Sequence, residues 1–201
     1  YVDEAVSDGW TSTYSDTYTC SAVLDDYTNG ENLDNQVSNT AAITSEDALQ
    51  DSSTATTEID CYAPVLSKDA DTEWFEEYEW DITKVVDPSS HSGLAGDTFT
   101  STYTVTVGQT SSQYGYRAFG TISVTNPHPN ESMTVAVADA VDGTQANVVC
   151  DGDAAALTVG AGTTETCAYT VDLNDGSSKL NTATVTFRST DFTATADVIF
   201  G

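Results

Sequence analysis

Apolar residues recur at every second position through most of the chain. Phe99, Tyr103, Val105 and Val107 alternate with Thr98, Thr100, Thr102, Thr104 and Thr106. Only a repeat of two puts those apolar groups on one face, so the run predicts a half-buried strand. The same pattern marks Trp74, Tyr78, Trp80 and Ile82, then Ile122 and Val124, then Met133, Val135 and Val137. It returns at Cys167, Tyr169, Val171 and Leu173, at Ala183, Val185 and Phe187, and at Phe192, Ala194, Ala196, Val198 and Phe200. Thr and Ser fill most outward positions, as suits a solvated pleated surface. Turn chemistry separates the runs at Asp87-Pro88, Asn126-Pro127, Asp151-Gly152, Gly160-Ala161-Gly162 and Asn174-Asp175-Gly176. No segment carries a helical repeat; Ser45–Leu49 is too short and reads as a loop.

These runs predict an all-β chain built as an immunoglobulin-like antiparallel β-sandwich. Residues 62–201 hold seven to nine short strands and read as one complete domain. Its expected core includes Trp80, Ile82, Tyr103, Val105, Ile122, Val124, Val135, Tyr169, Val185 and Val198. Residues 1–61 hold three or four strands, with Trp10, Tyr14 and Tyr18 on an apolar face. An internal repeat relates the two parts. Ser38–Thr44 followed by Ser53–Ile59 parallels Leu180–Thr186 followed by Thr193–Ile199, each pair preceded by a Cys-bearing stretch. Residues 1–61 therefore read as the back portion of a second, incomplete domain in a tandem design.

The run Trp80-Asp81-Ile82-Thr83-Lys84 with Asp87-Pro88, the strand end Ile122-Ser123-Val124-Thr125-Asn126-Pro127 and the closing Asn181-Thr182-Ala183-Thr184-Val185 resemble prokaryotic cell-surface immunoglobulin-like repeats of the DUF11 kind. The resemblance covers residues 62–200 and only the tail of 1–61. It implies a repetitive extracellular protein such as a stalk, adhesin or surface filament, and it carries no catalytic motif.

Charge narrows the partners. The chain carries 5 Lys and Arg against 32 Asp and Glu, a formal charge of −27. So negative a surface repels phosphate backbones and anionic lipid, which excludes nucleic acid and membrane-surface partners. No stretch is long and apolar enough for a membrane span. The chain starts at Tyr1 without a signal sequence, as a processed product or an excised fragment would. Four cysteines without C-x-x-C clustering suit disulfides in an oxidising compartment, and hence a secreted or cell-surface location. Three pairings are possible. Cys150 and Cys167 flank a hairpin turning at Gly160-Ala161-Gly162, which leaves Cys20 for Cys61.

Candidate chemistry is sparse. No G-x-S-x-G, phosphate loop or H-E-x-x-H occurs, and His91 and His128 sit apart in Pro/Ser turns, so an enzyme is not expected. Calcium is the one candidate cofactor. Asp69, Asp71 and Glu73, then Asp151 and Asp153, then Asp172 and Asn174 place oxygen ligands close together in loops. A solvated acidic surface explains the clusters taken together equally well, and any single cluster better. Asn130-Glu131-Ser132 is an N-glycosylation sequon in a Pro-rich turn. A Lys–Asn isopeptide crosslink, as in some surface pilins, would join Lys68 or Lys84 to Asn181. It requires a buried Lys beside the Asn and a carboxylic acid, and residue type is all the sequence offers for it. Trp74, Phe75, Tyr78 and Trp80 are a candidate sugar-stacking platform, although alternation places Trp74, Tyr78 and Trp80 on a face that reads first as core. The reading that unites these features is a structural subunit of an extracellular filament, tube or stalk. Its partners would be copies of itself, joined head to tail by β-strand complementation. The alternative is a cell-surface adhesin or carbohydrate-binding module.

Overall fold

The computed structural model describes residues 11–44 and 49–201, without the side chains of Thr44, Leu49 and Gln50. Trp10 and most of the Ser45–Leu49 loop fall outside these. Two compact units divide the chain, Tyr1–Ala63 and Pro64–Gly201. The architecture is all-β and antiparallel, and the only helical turns among the described residues are two short 3-10 segments.

In the first unit, β1 (Glu31–Thr44) and β2 (Leu49–Tyr62) form a two-stranded hairpin. Among the described residues the unit shows these two strands, where the pattern predicts three or four over residues 1–61. Residues 11–23 carry no regular structure, and Tyr14 and Tyr18 are exposed. A disulfide joins Cys20 to Cys61.

The second unit is a sandwich of two sheets. One runs β3 (Val65–Lys68), β5 (Thr102–Thr125), β10 (Thr164–Asp172) and β8 (Asn147–Cys150), with β4 (Asp71–Asp87) also paired to β5. The other runs β12 (Thr190–Val198), β11 (Lys179–Phe187), β6 (Met133–Val141) and β7 (Thr144–Gln145), with β9 (Leu157–Val159) paired to β6. Opposed residues of antiparallel strands share a face, so the register builds the core directly. Val124 faces Glu165 and Leu66, Ile122 faces Cys167 and Lys68, and Val185 faces Val137 and Phe192. Ile122, Val124, Val135, Tyr169, Val185 and Val198 are all buried. Cys150 and Cys167 oppose each other across β8 and β10 and are disulfide-bonded.

Four expected core residues are not core. Trp80, Ile82, Tyr103 and Val105 are 69%, 70%, 62% and 53% exposed. The cause is the length of β4 and β5. β10 and β3 pair with β5 only from Arg117 to Thr125, whereas Phe75–Asp87 and Thr102–Tyr114 pair with each other alone. These segments form a two-stranded ribbon, and among the described residues no second sheet lies across it. The ribbon begins at a bulge where Trp74 stands against Gly115 and Tyr116. Gly115 has φ +69°, and a Cβ there would meet the Phe75 ring at 2.8 Å. A glycine is therefore required where the strand bends. Trp74, just inside the bulge, packs edge-on to Phe200, while Tyr78 and Trp80 beyond it lie open.

Candidate functional site

β6 presents an inward stripe of Met133, Val135, Val137, Asp139 and Val141, all buried. One member is a carboxylate. The neighbouring β11 turns Asn181, Ala183 and Val185 inward, and Asn181 is fully buried. Asn181 opposes Val141 and Ala183 opposes Asp139, so Asn181 and Asp139 are diagonal neighbours on the core face. From the other sheet, Lys68 ends β3. It opposes Ile122, whose side chain is in the core, so the lysine also points inward.

The three side chains meet between the sheets. Lys68 Nζ lies 3.1 Å from Asp139 Oδ1, with both side chains wholly shielded from solvent. It also sits 3.9 Å from the centroid of the Tyr169 ring. The Tyr169 hydroxyl donates to the Asp69 carbonyl at 2.7 Å. The close approach of Asp69 needs Gly120, where a Cβ would meet the Asp69 carbonyl at 2.8 Å. The ion-pair distance does not come with hydrogen-bond angles. Lys68 Nζ, both Asp139 oxygens and both polar atoms of Asn181 have no hydrogen-bond partner. Asn181 still lies close enough to act electrostatically on Asp139 and on the Tyr169 hydroxyl. Burial pushes the Lys68 ammonium down and the Asp139 carboxyl up, against the opposing pull of their mutual attraction. Burial likewise raises Tyr169, to about 12. Both shifts in the Lys–Asp pair favour an uncharged amine beside a protonated acid, next to an amide carbon.

Sequence reasoning had Lys68 and Asn181 but missed Asp139, and it gave the crosslink no support beyond residue type. The signal was present: Asp139 continues the period-two stripe of Met133, Val135 and Val137, where a charge has no place in an ordinary core. Lys84 is elsewhere, on the ribbon over Tyr103 at 4.8 Å.

The expected calcium ligands are dispersed over separate contacts. Asp69 accepts from Thr121 N at 2.6 Å and Thr121 Oγ1 at 2.7 Å. Glu73 and Asp172 share Arg117, at 3.2 and 2.8 Å. Asp153 accepts from Ala155 N at 2.9 Å, capping a 3-10 turn. Asp71 is exposed at the start of β4, and Asp151 and Asn174 are exposed in turns. Among the described residues no group of three His, Cys, Asp or Glu side chains converges to hold a metal. Asn130 is exposed in the turn before β6. His91 stacks on Phe99 and contacts Ser101 Oγ at 2.7 Å, and His128 Nδ1 accepts from the Asn130 and Glu131 amides.

The ribbon is the second feature of note. One of its faces carries Tyr78, Trp80, Ile82 and Val86 from β4 beside Val107, Val105 and Tyr103 from β5. The other carries Glu77, Glu79 and Asp81. No protein-family model matches the chain, and no curated protein matches it.

Proposed function

We propose that the protein is a structural subunit of an extracellular filament, tube or surface stalk, and that the β4–β5 ribbon joins one copy to the next by strand complementation. The exposed apolar face of the ribbon carries this reading. A run of aromatic and β-branched side chains open to water marks an interaction surface. Among the described residues both outer edges of the ribbon also lack a partner strand from Phe75 to Asp87 and from Thr102 to Tyr114, which makes them templates for further pairing. The ribbon is about 40 Å long at roughly 3.3 Å per residue, enough to reach a neighbour.

A second copy supplies a fitting acceptor. Among the described residues its first unit is a two-stranded hairpin, a size that is marginal alone and gains from added strands. Ribbon and hairpin are different surfaces, so the contact is heterologous and propagates as a filament when its rotation does not close. The acidic side chains of Glu77, Glu79 and Asp81 on the opposite face leave the apolar face as the one for a neighbour to cover. Two disulfides among the described residues fit an oxidising extracellular setting, and no described helix is long and apolar enough to cross a membrane. The resemblance to cell-surface repeats points the same way.

Negative-stain electron microscopy of the full chain at high concentration, beside Trp80→Glu and Ile82→Lys variants, tests this. Filaments are expected from the native chain only, with the variants folded as monomers. A native chain that stays monomeric, or variants that polymerise equally well, would contradict it. Binding to polysaccharide by the native chain alone, without self-association, would move the ribbon to the adhesin reading.

A further inference from the structure

We infer that Lys68 and Asn181 are joined by a covalent isopeptide bond, formed by the folded protein on itself with Asp139 as the proton carrier. The motive is the unmet chemistry of the site. The fold satisfies its other wholly buried asparagine fully. Asn126 donates to the carbonyls of Glu131, Val159 and Gly160 and accepts from His128 N. Asn181 is equally buried and has no hydrogen bond, and its two neighbours in the cluster are in the same condition. Buried polar atoms are almost always hydrogen-bonded, so three neighbouring groups without a hydrogen bond need an explanation. The internal repeat sharpens it. Asn39 occupies the slot of Asn181 in the first unit, and there the side chain is only partly buried and accepts from the Tyr14 hydroxyl. Asn181 differs in standing next to a lysine–carboxylic acid pair.

The reaction follows from the arrangement. Burial favours the neutral form of the pair, which is reached when one proton moves from Nζ to the Asp139 carboxylate. The free amine then attacks Cγ of Asn181, while the Asp139 acid donates to the amide oxygen and stabilises the charge that develops there. Asp139 takes the surplus proton from Nζ and passes it to Nδ2. The Cγ–Nδ2 bond breaks, ammonia leaves, and a secondary amide links Nζ to Cγ. Amine and primary amide give secondary amide and ammonia, so atoms and charge balance without oxidant, nucleotide or a second protein. Tyr169 floors the site and keeps water away from the amine. The product removes the buried charge of Lys68 and converts Asn181 into an amide whose N–H faces Asp139.

The bond ties β3 of one sheet to β11 of the other. It needs only a folded monomer, so it stands or falls apart from the polymerisation proposed above. Intact mass of the denatured, reduced native protein is the test, followed by tryptic mapping. The expected mass is one ammonia, about 17 Da, below the sequence value. Trypsin should fail to cut after Lys68 and should yield residues 1–84 joined to 180–188. An Asp139→Asn variant that retains the β spectrum and both disulfides should show the full mass and ordinary cleavage at Lys68. A folded native protein at full mass overturns the inference. So does a 17 Da loss with peptides 1–68 and 180–188 separate, since that loss comes from a succinimide.

Discussion

Asn126 and Asn181 show how one residue type serves opposite ends inside a single core. Asn126 staples the turn after β5 to the end of β9, so Asn126→Ala takes a donor from the carbonyls of Glu131, Val159 and Gly160, the last of which keeps the Thr163 amide and hydroxyl in its turn. A loss of about 3 kcal/mol is expected, read as a fall in urea midpoint with an unchanged slope. Asp69 gives a pH signature. The Thr121 hydroxyl and then the Thr121 amide hold its carboxyl below the usual range. A folded pKa below the unfolded value adds stability above about pH 4 that is lost as the pH falls through the folded value. Thr121→Val removes the larger cause, so its melting temperature should fall less than the native protein's between pH 7 and pH 3. An equal fall in both would show that Asp69 does not contribute to the acid limb. Neither residue's role was legible in the sequence, since both act through backbone groups brought close by the fold. Asp139 was legible by register alone, as a charge at an inward position.

The β4–β5 ribbon is where pattern and packing part. Alternation gives Trp80, Ile82, Tyr103 and Val105 a shared face, and they have one. It cannot say what lies across that face, and among the described residues no second sheet does. The stretch from Gly108 to Gly120 carries no turn dipeptide, and it continues, bent at Gly115, as part of the 24-residue β5. Core and ribbon should therefore respond differently to truncation. Ile122→Ala should cost about 2–5 kcal/mol, whereas Trp80→Ala should stay within about 0.5 kcal/mol for the monomer. Denaturant titration distinguishes them, and a large loss at Trp80 would mean that the ribbon is covered within one chain. The hairpin β11–β12 and its repeat counterpart β1–β2 were readable because Thr-rich alternation and the matching Asn-Thr-Ala runs mark both.

At the scale of the molecule, −27 charges repel like copies, and salt screens that repulsion within about 10 Å at 0.1 M. Filament formation should therefore start at lower protein concentration as sodium chloride rises, as followed by light scattering; the reverse would place ion pairs rather than apolar contact at the joint. The disulfide of the first unit closes a 41-residue separation, worth about 3–4 kcal/mol in the chain-entropy model. A subunit of the proposed filament must also hold when its ends are pulled. Tension on the second unit enters at Pro64 and Gly201, and the Lys68–Asn181 link leaves four residues before it and twenty after it free to extend. Single-molecule stretching of the second unit under reducing conditions reads this directly. A release of no more than roughly 80 Å is expected from those flanks, at up to about 3.5 Å per residue. A release of roughly 480 Å, the length of the whole unit unravelled, would contradict a covalently closed subunit built to carry tension.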